Sequence, residues 1–211
     1  MNIKKIAYRA LQFTLNRVIE IIGTTLALLA LLLLIALITY SPDDPNFIFP
    51  ENTEINNILG FQGSYISDLF FQSIGIISYL ISVSFFITGI NLFKSKNLLL
   101  IIENIFFIIL YCIFGSLFLS VFYNDAFELF INGNGGFVGN YLAQTFLGNL
   151  IKLQTSVSFY FLLILIAGFF LISVNFDPKG FWVFVKKTLN YFSKDNKKPY
   201  TDKSEIISEY I

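Results

Sequence analysis

Two adjacent carboxylates, Asp43 and Asp44, stand just beyond the first apolar stretch of the chain, flanked by Pro42 and Pro45. A pair of carboxyl groups can divide acid and base roles. Between two prolines, which fix φ and lack an N–H, this pair reads instead as a turn that stops a helix. Glu103 is the second candidate, roughly one to two turns into a long apolar run. A carboxylate at membrane depth is costly and often functional. No basic residue lies within the runs to pair with it. A small outward shift of the run leaves Glu103 near the headgroups beside Lys94 or Lys96, and that interfacial reading is preferred. Cys112 is the single cysteine, so the chain by itself forms no disulfide or thiolate cluster. It reads as a small buried apolar residue. The absence of histidine removes Ser-His-Asp and Cys-His catalysis and most zinc sites. No Gly-x-x-x-x-Gly-Lys-Ser/Thr loop is present, so these residues hold no nucleotide site of that type. No catalytic, cofactor-binding or metal-binding residue is expected.

The elements around these residues are four apolar runs, at about Ile21–Thr39, Leu69–Phe93, Leu98–Phe122 and Val157–Val174. Each is long enough to cross a hydrocarbon layer of roughly 30 Å as a helix. Only 13% of the chain is charged, about half the share in a soluble domain. Of the 14 basic residues, all but Lys152 fall before the first run, between the second and third, or after the fourth. Positive residues stay cytoplasmic, which predicts both termini inside. Asp43, Asp44, Glu51, Glu54, Asp125 and Glu128 then fall in the outer loops. The expectation is an all-α membrane protein. Its four transmembrane helices form two hairpins, with N- and C-termini cytoplasmic and short interfacial helices in the outer loops. The first run is too long for a signal-peptide core and lacks a small-x-small cleavage site, so it reads as a retained span.

Residues 1–20 form a basic cytoplasmic lead-in, read as a positive-inside anchor. Residues 21–174 form the four-span domain. Residues 175–211 form a cytoplasmic interfacial segment and linker. Phe181, Trp182, Phe184 and Val185 beside Lys186 and Lys187 make an aromatic-basic belt there, and the composition beyond Ser193 suits a linker. The basic tail is balanced by Asp177, Asp195, Asp202, Glu205 and Glu209, so direct nucleic-acid binding is not expected; attraction to the membrane surface is simpler. Lys94–Asn97 is a very short inner connection. In the second outer segment, Phe137, Val138, Tyr141, Leu142, Thr145 and Phe146 recur at helical spacing and predict a short amphipathic helix. Gly60, Gly63 and Gly75 share their spacing with Gly133, Gly136 and Gly148, which suggests two repeated helical hairpins. Gln72 and Asn104 are candidates for hydrogen bonds between helices. No run carries the charged or broken-helix positions of an ion-coupled transporter. Gly75, Gly89, Gly115 and Gly168 read as packing positions. The alternative reading is a small multi-span transporter or channel component, with Glu103, Gln72 and the glycines along a path.

The stretch TYSPDDPNF, followed by NNILGFQGSYISDLFFQSIGIISYL, resembles the N-terminal membrane region of FtsK/SpoIIIE-type DNA translocases. That family's Tyr-x-Pro-x-Asp-Pro turn, Asn-x-x-Gly-x-x-Gly-Ala-Tyr-x-x-Asp segment and Phe-Gln pair match Tyr40, Pro42, Asp44, Pro45, Asn57, Gly60, Gly63, Tyr65, Asp68, Phe71 and Gln72. Ser64 stands where the family has Ala. The stretch GGFVGNYLAQTFLG, with Gly135, Gly136 and Gly139, resembles the family's Gly-Gly-x-x-Gly segment before its last span. The resemblance covers nearly all of residues 15–185. It implies a four-span anchor in a bacterial inner membrane at the division septum. Implied partners are the lipid bilayer, other membrane cell-division proteins and further copies of the chain, six of them if the chain is joined to a motor. The family's DNA-pumping ATPase motifs have no matching position in these residues, so motor activity is not assigned to them.

Overall fold

The computed structural model describes residues 3–45, 54–124 and 132–194. Pro50, Glu51, Asp125, Glu128 and the tail beyond Lys194, with Lys197, Lys198 and Lys203, lie outside the described residues. Among the described residues there is no strand. The helices are α1 (Ile3–Ile38), α2 (Gly60–Ile74), α3 (Ser78–Ser95), α4 (Leu99–Phe122), α5 (Gly136–Ala143), α6 (Phe146–Leu153), α7 (Thr155–Ser173) and α8 (Pro178–Lys194), with a 3-10 turn at Gly75–Ile77 between α2 and α3.

Four stretches are long and apolar enough to cross a membrane: Ile6–Ile38, Gly60–Ser95, Leu99–Phe122 and Thr155–Ser173. In hydrocarbon every backbone polar group must be satisfied within the protein, and the helix does this within one segment. The protein is therefore a multi-pass membrane protein. The first helix begins far ahead of the expected Ile21, at Ile3, so the basic lead-in continues the spanning helix without a break.

The helices pair unequally: α1 lies along α3, α4 lies along α7, and α5 is laid against α4. Lipid tails are as apolar as leucine, so such contacts depend on close packing and polar links. Gly23 and Gly89 allow a close approach of α1 to α3. A Cβ added to Gly23 would stand 2.7 Å from the Gly89 carbonyl oxygen. Ile77, Ile81, Ile108, Tyr111 and Cys112 form one buried cluster between α3 and α4, so Cys112 is the buried apolar residue the sequence suggested. Leu117, Ile151 and Leu162 form another. Helix α7 buries only Leu162 and Ser173. Its Ile166, Phe169 and Phe170 are partly buried against the cluster around Tyr111, and Tyr160, Phe161 and Ile164 are exposed.

Polar side chains join three of the spans. Asn104 donates to Thr88 Oγ1 at 2.8 Å, and Asn175 donates to Asn104 Oδ1 at 2.8 Å. Tyr111 donates to Ser84 Oγ at 3.1 Å, and Ser84 meets Ser173 Oγ at 3.1 Å. Asn104 thus makes the interhelical links expected of it. The Gln72 side chain bonds to Asp68 of its own helix at 3.4 Å and also interacts with Tyr40 beyond the end of α1. At the other end of α3, Lys96 pairs with Glu20 of α1 at 2.9 Å, beside Arg17.

Three expectations are corrected. The second span contains a broken helix: Gly75 takes φ 72° and ψ −152° and separates α2 from α3. Side chains rarely adopt that backbone region, so glycine alone makes the break inexpensive. The second connecting segment holds two short helices where one was expected, because Thr145 adopts an extended conformation and its Oγ1 accepts the Leu147 N–H at 3.3 Å. A threonine that caps in this way starts a new helix, so Phe146 belongs to α6. The glycine overlay holds only at Gly60 and Gly133, with φ of 65° and 67°. Gly63 lies within α2, whereas Gly136 opens α5.

The chain divides into two units, residues 1–175 and 176–211. In the second, Asp177 caps α8, its two oxygens accepting the N–H groups of Lys179 at 3.0 Å and Gly180 at 3.1 Å. Pro178 follows the cap, where its fixed φ suits a first helical turn. The belt read from the sequence is therefore part of a helix.

Candidate functional site

The residues singled out in the first connecting segment converge. Asp44 and Pro45 are buried, Pro42 is half-buried and Asp43 is exposed. The two carboxylates thus occupy different environments and do not form an acid–base pair. Asp44 Oδ1 accepts from the backbone N–H of Asn56 at 2.8 Å and from its side-chain amide at 3.0 Å. Asp44 Oδ2 accepts the backbone N–H of Asn57 at 2.9 Å. The Asn57 amide then donates to the Ala36 carbonyl in the last turns of α1 at 2.9 Å, and its Oδ1 accepts the Leu59 N–H at 3.1 Å. A buried carboxylate is tolerable when its lone pairs are met by donors of this kind.

The same knot reaches along α2. Gly60 opens that helix, and its N–H donates to the Asn57 carbonyl at 2.8 Å. A Cβ at Gly63 would lie 2.1 Å from Asn57 Oδ1, so the asparagine side chain occupies the space a larger residue would fill. Ser64 donates to the Pro45 carbonyl at 3.0 Å. The departure from the family's Ala therefore adds a hydrogen bond. Tyr65 stacks on Phe61 with ring centroids 6.3 Å apart. Tyr40 donates to Asp68 Oδ1 at 3.1 Å and packs on Phe71 at 4.8 Å. Burial, and then the Asp68 carboxylate, push the Tyr40 phenol well above its ordinary titration range. Tyr79 of α3 closes the set, donating to the Leu37 carbonyl at 3.0 Å.

The glycines of the second segment sit at a separate junction. Asn134 inserts its backbone beside the break in the second span, and its carbonyl accepts the Ile76 N–H at 3.0 Å. Gly75 and Gly136 touch there: a Cβ on Gly75 would lie 1.9 Å from the Asn134 oxygen, and one on Gly136 would lie 2.6 Å from the Gly75 nitrogen. Gly135 and Gly139 lie against Ser116 and Ser120 of α4. Ser116 donates to the Ile74 carbonyl at 2.9 Å, and Asn132 donates to the Gln72 carbonyl at 3.2 Å. Backbone groups freed by the break in the second span are thus met by the second connecting segment and by α4.

Asn56, Tyr79, Asn132 and Asn134 were missed by sequence reasoning. The signal for Asn134 was its place between Gly133 and Gly135, a local pattern that favours unusual backbone. Glu103 is exposed on α4. Gly89 meets Gly23, Gly115 meets Ile77, and Gly168 has open space around it. With Gly75 against Asn134, these residues have separate neighbours and do not line one path. Three of the four glycines are the packing positions expected; Gly168 is not.

These two junctions shape the connecting segments of a chain that matches known membrane regions. The family model described as the 4TM region of DNA translocase FtsK/SpoIIIE matches residues 16–183. Among curated proteins, the DNA translocase FtsK of Rickettsia prowazekii (strain Madrid E) is 26% identical over 170 residues, 79% of this chain and 23% of that protein. The DNA translocase FtsK of Rickettsia bellii (strain RML369-C) is 37% identical over 71 residues, 34% of this chain and 10% of that protein. That of Rickettsia typhi (strain ATCC VR-144 / Wilmington) is 28% identical over 131 residues, 62% of this chain and 18% of that protein. The chain thus spans less than a quarter of the length of these relatives. No solved structure matches. With the family match crossing all four apolar stretches and both glycine-lined junctions, the chain belongs to the 4TM-region family of FtsK/SpoIIIE DNA translocases.

Proposed function

We propose that this chain is the membrane anchor and division-site interaction module of an FtsK-type DNA translocase, acting in cell division and chromosome segregation. It resides in a bacterial inner membrane at the septum, with both termini in the cytoplasm and the two helical hairpins opening outward. The segments 40–67 and 123–156 are the surfaces that meet other membrane division proteins. The two polar junctions support that reading, because they hold the described parts of each segment in place. Copies associate, six to a ring where the chain continues into a motor. These residues neither bind DNA directly nor perform the motor reaction. The single observation that carries the reading is the family match over residues 16–183.

The test has two arms. A fluorescently tagged copy is expected to concentrate at midcell, and expression of the chain is expected to restore septation in cells depleted of it. Uniform membrane fluorescence together with normal septation after depletion would overturn the role. For sidedness, Cys112 is replaced by Ala and single cysteines are placed at Asn2, at the exposed Glu54, at Asn140 and at Ser208. An impermeant thiol reagent added to intact spheroplasts is expected to label the middle two alone. Labelling of either end would overturn the orientation.

A further inference from the structure

We infer that α8 is an anionic-lipid-binding helix that lies in the headgroup region of the membrane. The choice of the cytoplasmic leaflet rests on the orientation proposed above. The residues Pro178–Lys194 contain no Asp or Glu. At helical spacing, Phe181, Trp182, Val185 and Leu189 share one side, and Lys179, Lys186 and Lys187 stand with Asn190 on the other. Val183 is the exception among the lysines. Phe181, Trp182 and Leu189 are 53%, 70% and 63% exposed. An apolar face of this size needs a cover, and the charges select it. Every ionisable group with full charge in the helix is a lysine, so the surface beneath must be apolar within and negative at its rim. A bilayer carrying anionic headgroups has that profile: the apolar side sinks roughly 5–10 Å to the acyl boundary while the lysines reach phosphates. Tryptophan favours the headgroup level for its amphipathic ring. Only residues 174–177 separate α8 from a membrane-spanning helix, so it starts at the surface it is proposed to bind.

Trp182 is the sole tryptophan of the chain, so the selectively excited tryptophan emission of the intact protein reports on α8 alone. The full chain is reconstituted in lipid nanodiscs of phosphatidylcholine, with or without phosphatidylglycerol, whose acyl chains carry bromine near the headgroup. In anionic discs Trp182 emission is expected to shift to the blue and to be quenched at least about twofold more than in neutral discs. That excess is expected to vanish in high salt and in the K179Q/K186Q/K187Q variant. Equal quenching in both discs would overturn the inference by removing the role of charge. Water-like emission in both would overturn it by leaving the helix in solvent. A blue shift without bromine quenching would overturn it in favour of a protein cover. Nanodiscs expose both leaflets, so this result does not depend on which way the chain is inserted, and the cysteine labelling reads that separately.

Discussion

The Asp44 carboxylate grips the backbone N–H of Asn57 at 2.9 Å, and Asn57 passes the link on to the end of α1 through its side chain. The turn is therefore held from inside by one anion. Asp44→Ala leaves the Asn56 and Asn57 donors without that acceptor and is expected to cost about 1–3 kcal/mol. Asp44→Asn keeps one acceptor oxygen and should cost less. Asp43→Asn, at an exposed carboxylate, should stay within about 0.5 kcal/mol of the parent. Denaturation by sodium dodecyl sulfate in mixed micelles, followed by circular dichroism, measures all three. Equal losses at Asp43 and Asp44 would refute the internal role of Asp44.

At the second junction, Gly75→Ala and Gly136→Ala each combine an unfavourable backbone region with a collision against main-chain atoms that cannot turn away. Each is expected to destabilise by about 2–4 kcal/mol. Gly168→Ala, with nothing within 4 Å of the added carbon, should be close to neutral. The same micelle titration ranks them, and an inert Gly75→Ala would contradict the close contact with Asn134.

Among the spans, Tyr111→Phe removes one hydroxyl from the Ser84–Ser173 chain. Hydrogen bonds between membrane helices average about 0.6 kcal/mol, so the loss should be small. Asn104→Leu removes a donor and an acceptor at once, from Thr88 and Asn175, and should cost more than Tyr111→Phe. A double-mutant cycle of Asn104 with Thr88 should give a coupling; the pair Tyr111 and Asn104, with no shared bond, should be additive.

Tyr40 sets an alkaline limit on the first connecting segment. Its phenol titrates above the ordinary value in the folded protein, because burial and Asp68 disfavour the phenolate. Folding thus favours the protonated form. The sign follows: the stabilisation is complete below the unfolded tyrosine value of about 10 and declines as pH rises past it. Tyr40→Phe should be less stable than the parent near pH 8 by one hydrogen bond, and the gap should narrow in the most alkaline buffers. Midpoints of denaturation measured across that range test this. A gap that widens with pH would reverse the assignment.

Much of the architecture was legible in composition alone. Runs of apolar residues located four spans, since these follow from transfer into lipid rather than from contacts. The motif residues Tyr40, Asp44, Asn57, Gly63 and Asp68 were readable as a pattern, and the structure gathers them into one knot. Their bonding was not readable, because Asp44 meets Asn57 and Tyr40 meets Asp68 across loops whose path no local rule specifies. The break at Gly75 escaped for a related reason. Hydropathy is blind to backbone angles, and the group that fills the gap, the Asn134 carbonyl, lies far along the chain. Glu20 went unnoticed at the edge of an apolar run; its partner Lys96 becomes evident only when α1 and α3 lie together.

The unbroken course of α1 from Ile3 to Ile38 has a mechanical corollary. At about 1.5 Å per residue the helix is roughly 54 Å long, well beyond a hydrocarbon layer of about 30 Å. Held upright, it would carry its first residues some way off the bilayer like a short mast; leaning, it would trade that height for a slant across the layer. Glu20, clasped to Lys96, marks the collar where the mast leaves the bundle.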